Sequence, residues 1–79
     1  MNIEEKILEV LKETLELESV DKTISSQTCA AWNSMGQLNL IADLEEAFGV
    51  SIEPEEFGEM TSVDKIAGVL KRKGVGSKD

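Results

Sequence analysis

Asn33 and Ser34 stand side by side where a polar loop gives way to a helical pattern, and they hold the most specific chemistry in the sequence. A helix start leaves backbone N–H groups without partners, and a single short polar side chain is enough to cap it. Asn33 serves as well as Ser34. With Asn33 as the cap, Ser34 takes the first helical position with its hydroxyl uncommitted. It then lies beside the positive end of the helix dipole, a place that stabilises a phosphate group. On capping grounds alone, the plainer reading of Ser34 as an ordinary cap stays open beside the phosphate one.

Other chemistry is poorly supplied. A serine nucleophile needs a base, the chain has no histidine, and no lysine lies near Ser34 in sequence, so the chain reads as a non-enzyme. Cys29 is the only cysteine, which rules out an internal disulfide and, without histidine, argues against zinc. It reads as a small filler, with no basic neighbour in sequence to activate its thiol. No stretch has the alternating acids and central glycine of a calcium loop, so no metal site is expected.

The 79 residues suffice for one domain with one modest core. Aromatics are limited to Trp32, Phe48 and Phe57, so Leu, Ile and Val must build that core. Net charge is −8, which disfavours nucleic acid and anionic membrane as partners. The acids are unevenly spread: residues 35–62 hold seven (Asp43, Glu45, Glu46, Glu53, Glu55, Glu56, Glu59) and no base. That segment suits partners with basic patches, or is a solvated acidic face. No run of about 18 apolar residues is present, so membrane insertion is not expected. Met1-Asn2-Ile3-Glu4-Glu5 resembles neither a signal nor a transit peptide, which makes a cytoplasmic protein the default.

The elements that must position Asn33 and Ser34 are helical. Ile3, Ile7, Leu8, Leu11 and Leu15 form a stripe that predicts a helix over 3–17, with Asn2 as cap. A long loop, 18–33, follows, with Val20 and Ile24 as its anchors into the core. The second helix, 34–48, turns Leu40, Ile41, Leu44, Ala47 and Phe48 to one side. A second apolar set, Met35, Leu38 and Ala42, points away from that face and is bordered by Asn39, Glu45 and Glu46. It is either covered by a loop or exposed as a docking patch. Gly49 caps the end, Pro54 opens a short turn through Phe57, and Thr61 with Asp64 has the shape of a capping box for a last helix. Val63, Ile66, Ala67 and Leu70 face inward on that helix, and Gly74 stops it. The expected organisation is a single domain over 1–73 and a disordered tail over 74–79.

The run from Trp32 through Asn33-Ser34-Met35-Gly36 to Leu44-Glu45-Glu46-Ala47-Phe48-Gly49-Val50 closely resembles an acyl carrier protein. Ile52-Glu53-Pro54 and Met60-Thr61-Ser62-Val63 extend the resemblance over nearly the whole chain. It implies an all-α, four-helix acyl-carrier-like bundle with a long first loop and a short third helix. It further implies that a phosphopantetheinyl transferase moves 4′-phosphopantetheine from coenzyme A onto Ser34, and that the arm's thiol carries an acyl group as a thioester. Partner enzymes that load and transfer acyl groups would dock on Met35, Leu38, Ala42, Glu45 and Glu46 through basic patches, and the carrier is expected to be a monomer. Phe48, Ile52, Phe57 and Met60 would line a space between the second and third helices for a short acyl chain, or simply pack the core.

Three positions depart from the family pattern. Asn33 stands where the family has an aspartate, which keeps the cap and drops a charge that helps recruit a basic transferase. Gly36 and Asn39 stand where carriers of fatty-acid synthesis are commonly acidic. Fewer charges on the second helix point to a specialised pathway and not the housekeeping fatty-acid enzymes. An aminoacyl carrier of the D-alanyl type and an unmodified interaction module both remain open.

Overall fold

Four helices close on one core in a computed structural model that describes residues 3–75. They are α1 (Ile3–Thr14), α2 (Ser34–Phe48), α3 (Pro54–Phe57) and α4 (Val63–Arg72). The described residues contain no strand, only an isolated antiparallel bridge between Ser25 and Ser62. The fold is thus the all-α bundle that the resemblance implies. The cap expected from Asn2 lies outside the described residues.

Each long helix buries most of the stripe that the sequence predicts, with Ile3 and Leu8 of α1 and Ala47 and Phe48 of α2 only half-buried. Ile7 and Leu11 of α1, Leu40 and Leu44 of α2, and Val63, Ile66 and Leu70 of α4 are fully buried. Ile41, Ala67 and Val69 complete the same cluster, Val69 being a position that the stripe had not marked. α1 packs against both α2 and α4. Burial of a Leu, Ile or Val side chain stabilises a fold by roughly 1.5–3 kcal/mol, so these aliphatic contacts hold the bundle with little aromatic help.

Two helix boundaries differ from expectation. α1 stops at Thr14 and not at residue 17. Glu16 turns into the left-handed region (φ 55°), and the Leu17 N–H reaches back to the Lys12 carbonyl at 2.9 Å. This reversal folds Leu17 and Val20 against the core, which a continuing helix would carry past. At α4 the cap is Ser62, whose Oγ accepts from the Lys65 N–H at 3.2 Å. Thr61 is used elsewhere: its carbonyl accepts from the Ser26 N–H at 2.9 Å and pins the long loop to the start of α4.

That pinning fixes the path of the loop toward Asn33. Val20 and Ile24 pack partly buried against the core, as their apolar character in a polar loop requires. Trp32 is 3% exposed and anchors the last turn before α2. At the far end of α2, Gly49 adopts φ +66° and its N–H bonds the Glu45 carbonyl at 2.9 Å, a glycine C-cap. α3 has no buried residue of its own. It is held to the end of α4 through Glu56, which lies 3.7 Å from Arg72 and 2.7 Å from Lys73, and its Phe57 packs half-buried against the core. Beyond α4, Val75 returns to the core with its N–H on the Leu70 carbonyl at 3.0 Å. Residues 76–79, the rest of the expected tail, lie outside the described residues.

Candidate functional site

Asn33 caps α2. Its backbone is extended, and its Oδ1 accepts from the Gly36 N–H at 2.9 Å. Ser34 is therefore the first helical residue, exposed, and its hydroxyl has no hydrogen-bond partner among the described residues. The N–H groups of Ser34 and Met35 are likewise unpartnered there, because the side-chain cap engages the next one along. An exposed nucleophilic hydroxyl, two open N–H donors and the positive end of a helix dipole fit a phosphodiester on Ser34 Oγ.

The second apolar set of α2 is uncovered. Met35 is 73% exposed and Leu38 58%, and Ala42 is exposed on the same helix. Glu46 is exposed too, whereas Glu45 is half-buried and its carboxylate accepts from the Ile52 N–H at 2.8 Å. Glu45 therefore braces the link after α2 as well as contributing charge near the patch.

Ser34 opens onto a cleft of about 540 Å³. Trp32, Gln37 and Leu38 line it from one side, and Phe57, Gly58 and Thr61 from the other. The four residues expected to share an acyl space are not gathered around it. Only Phe57 lines the cleft. Ile52 and Met60 are buried in the core. Phe48 looks toward α1, with the Lys6 ammonium 5.0 Å from its ring centroid, a cation–π contact.

Two residues of the site were not legible as such. Gly36 reads in sequence as a missing acid, yet it is buried, and a Cβ there would lie 2.4 Å from the Ala31 carbonyl oxygen. The glycine lets the loop backbone press against the first turn of α2, which fixes the direction from which Asn33 and Ser34 enter the helix. The available signal was a glycine inside a helical pattern, where it costs about 1 kcal/mol against alanine and so asks for a reason. Gln37 carries three hydrogen bonds. Its Oε1 accepts from the Trp32 indole, and its Nε2 donates to the carbonyls of Phe57 at 2.8 Å and Met60 at 3.0 Å. No spacing rule announces such a link, because its partners are far apart in sequence. Among the described residues no grouping of His, Cys, Asp or Glu could hold a metal, and no helix is long and apolar enough to cross a membrane.

The model of the phosphopantetheine attachment site family matches residues 4–70, a span that includes all of α2 and the cleft. The chain belongs to that family. Neither a curated protein nor a solved structure matches it. Members of the family are the site of covalent 4′-phosphopantetheine attachment, so the protein is a phosphopantetheine-bearing carrier. Domains of this type are typically carriers without catalysis of their own.

Proposed function

We propose that the protein is an acyl carrier in which Ser34 bears the arm and α2 presents the cargo to partner enzymes. The observation that carries this reading is the exposed, unpartnered Ser34 hydroxyl at the first position of a helix already capped by Asn33. Because the cap is made by its neighbour, Ser34 can be esterified without loss of the cap. In loading, Ser34 Oγ bonds to the pantetheine-side phosphorus of coenzyme A. The diphosphate bond breaks, the adenosine bisphosphate leaves, and the serine proton passes to the transferase. The attached arm supplies a thiol that holds cargo as a thioester. The Ser34 and Met35 N–H groups then face the phosphodiester, and the helix dipole favours its negative charge.

Met35, Leu38 and Ala42 offer partners an apolar contact, with Glu46 and the neighbouring Glu45 as acidic rim. This surface carries little charge around Ser34, since Asn33, Gly36 and Asn39 are all neutral. It suits the dedicated enzymes of a specialised pathway better than partners that read a strongly acidic helix.

Intact mass decides the matter. Incubation with coenzyme A and a broad-specificity phosphopantetheinyl transferase should add one phosphopantetheine to the wild type and none to Ser34→Ala. A wild type and an Asn33→Asp variant that both stay bare would overturn the reading. Mass analysis of the loaded thioester from cells then separates an acyl from an aminoacyl cargo.

A further inference from the structure

Gln37 is not among the residues proposed for attachment or docking, yet its side chain makes three hydrogen bonds. Its three partners belong to three segments: Trp32 in the loop before α2, Phe57 at the end of α3, and Met60 in the link to α4. The amide therefore spans the joint between α2 and α3. On its outer side lies the cleft, with Ser34, Leu38, Phe57 and Thr61 in the lining. Leu40, Leu44, Ile52 and Met60 are buried in the core, and none of them lines that cleft.

We propose that Gln37 is a latch that seals the interior between α2 and α3 from the cleft, so that cargo tethered at Ser34 lies along the open cleft. The inference rests on Ser34 bearing the arm, and it names the substrate class. A cleft open to water suits a short or polar acyl group, whose outer end tolerates solvent. A long apolar chain gains from a carrier only where its methylenes leave water, and the latch denies it the core. Gln37 is thus a positioning residue. It holds Trp32, α3 and the α4 link together, and the closure of that joint selects the cargo.

The test compares wild type and Gln37→Met, a substitution that keeps side-chain length and removes the hydrogen bonds. Both are loaded at Ser34 with acetyl-, hexanoyl- and decanoyl-phosphopantetheine from the matching coenzyme A thioesters. Loading is checked by intact mass, and methyl NMR spectra are recorded. In the wild type the methyl signals of Leu40, Leu44, Ile52 and Val63 should hold one position through the series, while those of Leu38 and Thr61 move. In Gln37→Met the core signals should shift further with each longer chain. A merely structural role would displace them by one amount whatever chain is attached. Wild-type core signals that follow chain length overturn the proposal, and so does a variant whose core ignores it. Should Gln37→Met fail to fold, Trp32→Phe removes the indole donor together with part of a buried ring, and the core shifts are again expected to grow with chain length. The wild-type series overturns the proposal on its own if its core responds. A wild type and an Asn33→Asp variant that both take no mass at Ser34 remove the carrier reading and this inference together. Full loading with a responsive core removes the inference alone.

Discussion

At the scale of single residues, Asn33 and Gly36 show why side-chain identity in this site follows backbone geometry. Asn33 accepts the Gly36 N–H and leaves Ser34 uncommitted. Asn33→Ala should cost about 1 kcal/mol in urea unfolding. Asn33→Asp should stay within about 0.5 kcal/mol of the wild type, since either residue caps well. It should also speed modification by a basic transferase, as read by the rate of mass gain. Gly36→Ala sets a gain in helix propensity of about 1 kcal/mol against a carbonyl that a Cβ would meet at 2.4 Å. That carbonyl is backbone and has no rotamer to escape into, so the clash wins, with a net loss of about 1–3 kcal/mol expected from chemical denaturation. The sequence marked Asn33 and Ser34 because capping is local chemistry. It marked Gly36 only as a missing charge, because the Ala31 carbonyl that forbids a side chain arrives through the fold of the loop.

At the scale of elements, α1, α2 and α4 were legible because each carries an apolar stripe that depends on helical period alone. The departures occur where a distant segment outbids a local preference. Thr61 gives its carbonyl to Ser26 and leaves the cap to Ser62, and Glu16 breaks α1 early so that Leu17 and Val20 can turn inward. α3 is the extreme case. It is one turn long with no fully buried residue, and polar ties to other elements add to the half-buried packing of its Phe57. The most polar of these ties joins Glu56 to Lys73 at 2.7 Å, with the Glu53 N–H also on the Glu56 carboxylate at 2.9 Å. The Lys73 hydrogen bond first, and the Glu53 N–H second, hold the Glu56 carboxyl below its ordinary value of 4.5. Because the folded value is the lower one, the unfolded chain binds this proton more readily. The contribution is fully present above the unfolded value and is lost as pH falls through the folded one. The stability difference between wild type and Glu56→Gln, measured by urea unfolding, should therefore be largest at neutral pH and shrink on acidification below the ordinary glutamate range. A difference that stays constant down to strongly acidic pH would show that the tie contributes nothing to the native state.

The whole molecule carries a net charge of −8 on 79 residues, with no base between residues 35 and 62. The ion pairs among the described residues relieve this only in part. Arg72 and Lys73 neutralise Glu56 and Glu59, and Lys22 lies 3.1 Å from Glu4. Lys22 and Arg72 are open to solvent in the pairs they make, so those contacts add little, whereas Lys73 and Glu56 are both half-buried. Asp43 accepts from the Thr14 hydroxyl, and Glu45 accepts from the Ile52 N–H, so both brace the bundle. Two effects then compete when salt is added. Screening weakens the few ion pairs, and it also weakens the repulsion among the surplus acids, which acts over distances comparable to the Debye length of about 8–10 Å. The repulsion has more members, since sixteen acids face eight bases, so it should dominate. Thermal unfolding at neutral pH should therefore shift upward by several degrees between low and near-molar sodium chloride, the size that about 1 kcal/mol produces in a domain of this length. The same screening should slow encounter with a basic transferase, because the charge that burdens the fold is the charge that steers the partner. Salt should thus move the two properties in opposite directions, with melting temperature rising as the rate of mass gain on Ser34 falls. A melting temperature that falls with salt would instead assign the stability to the α3–α4 ion pairs.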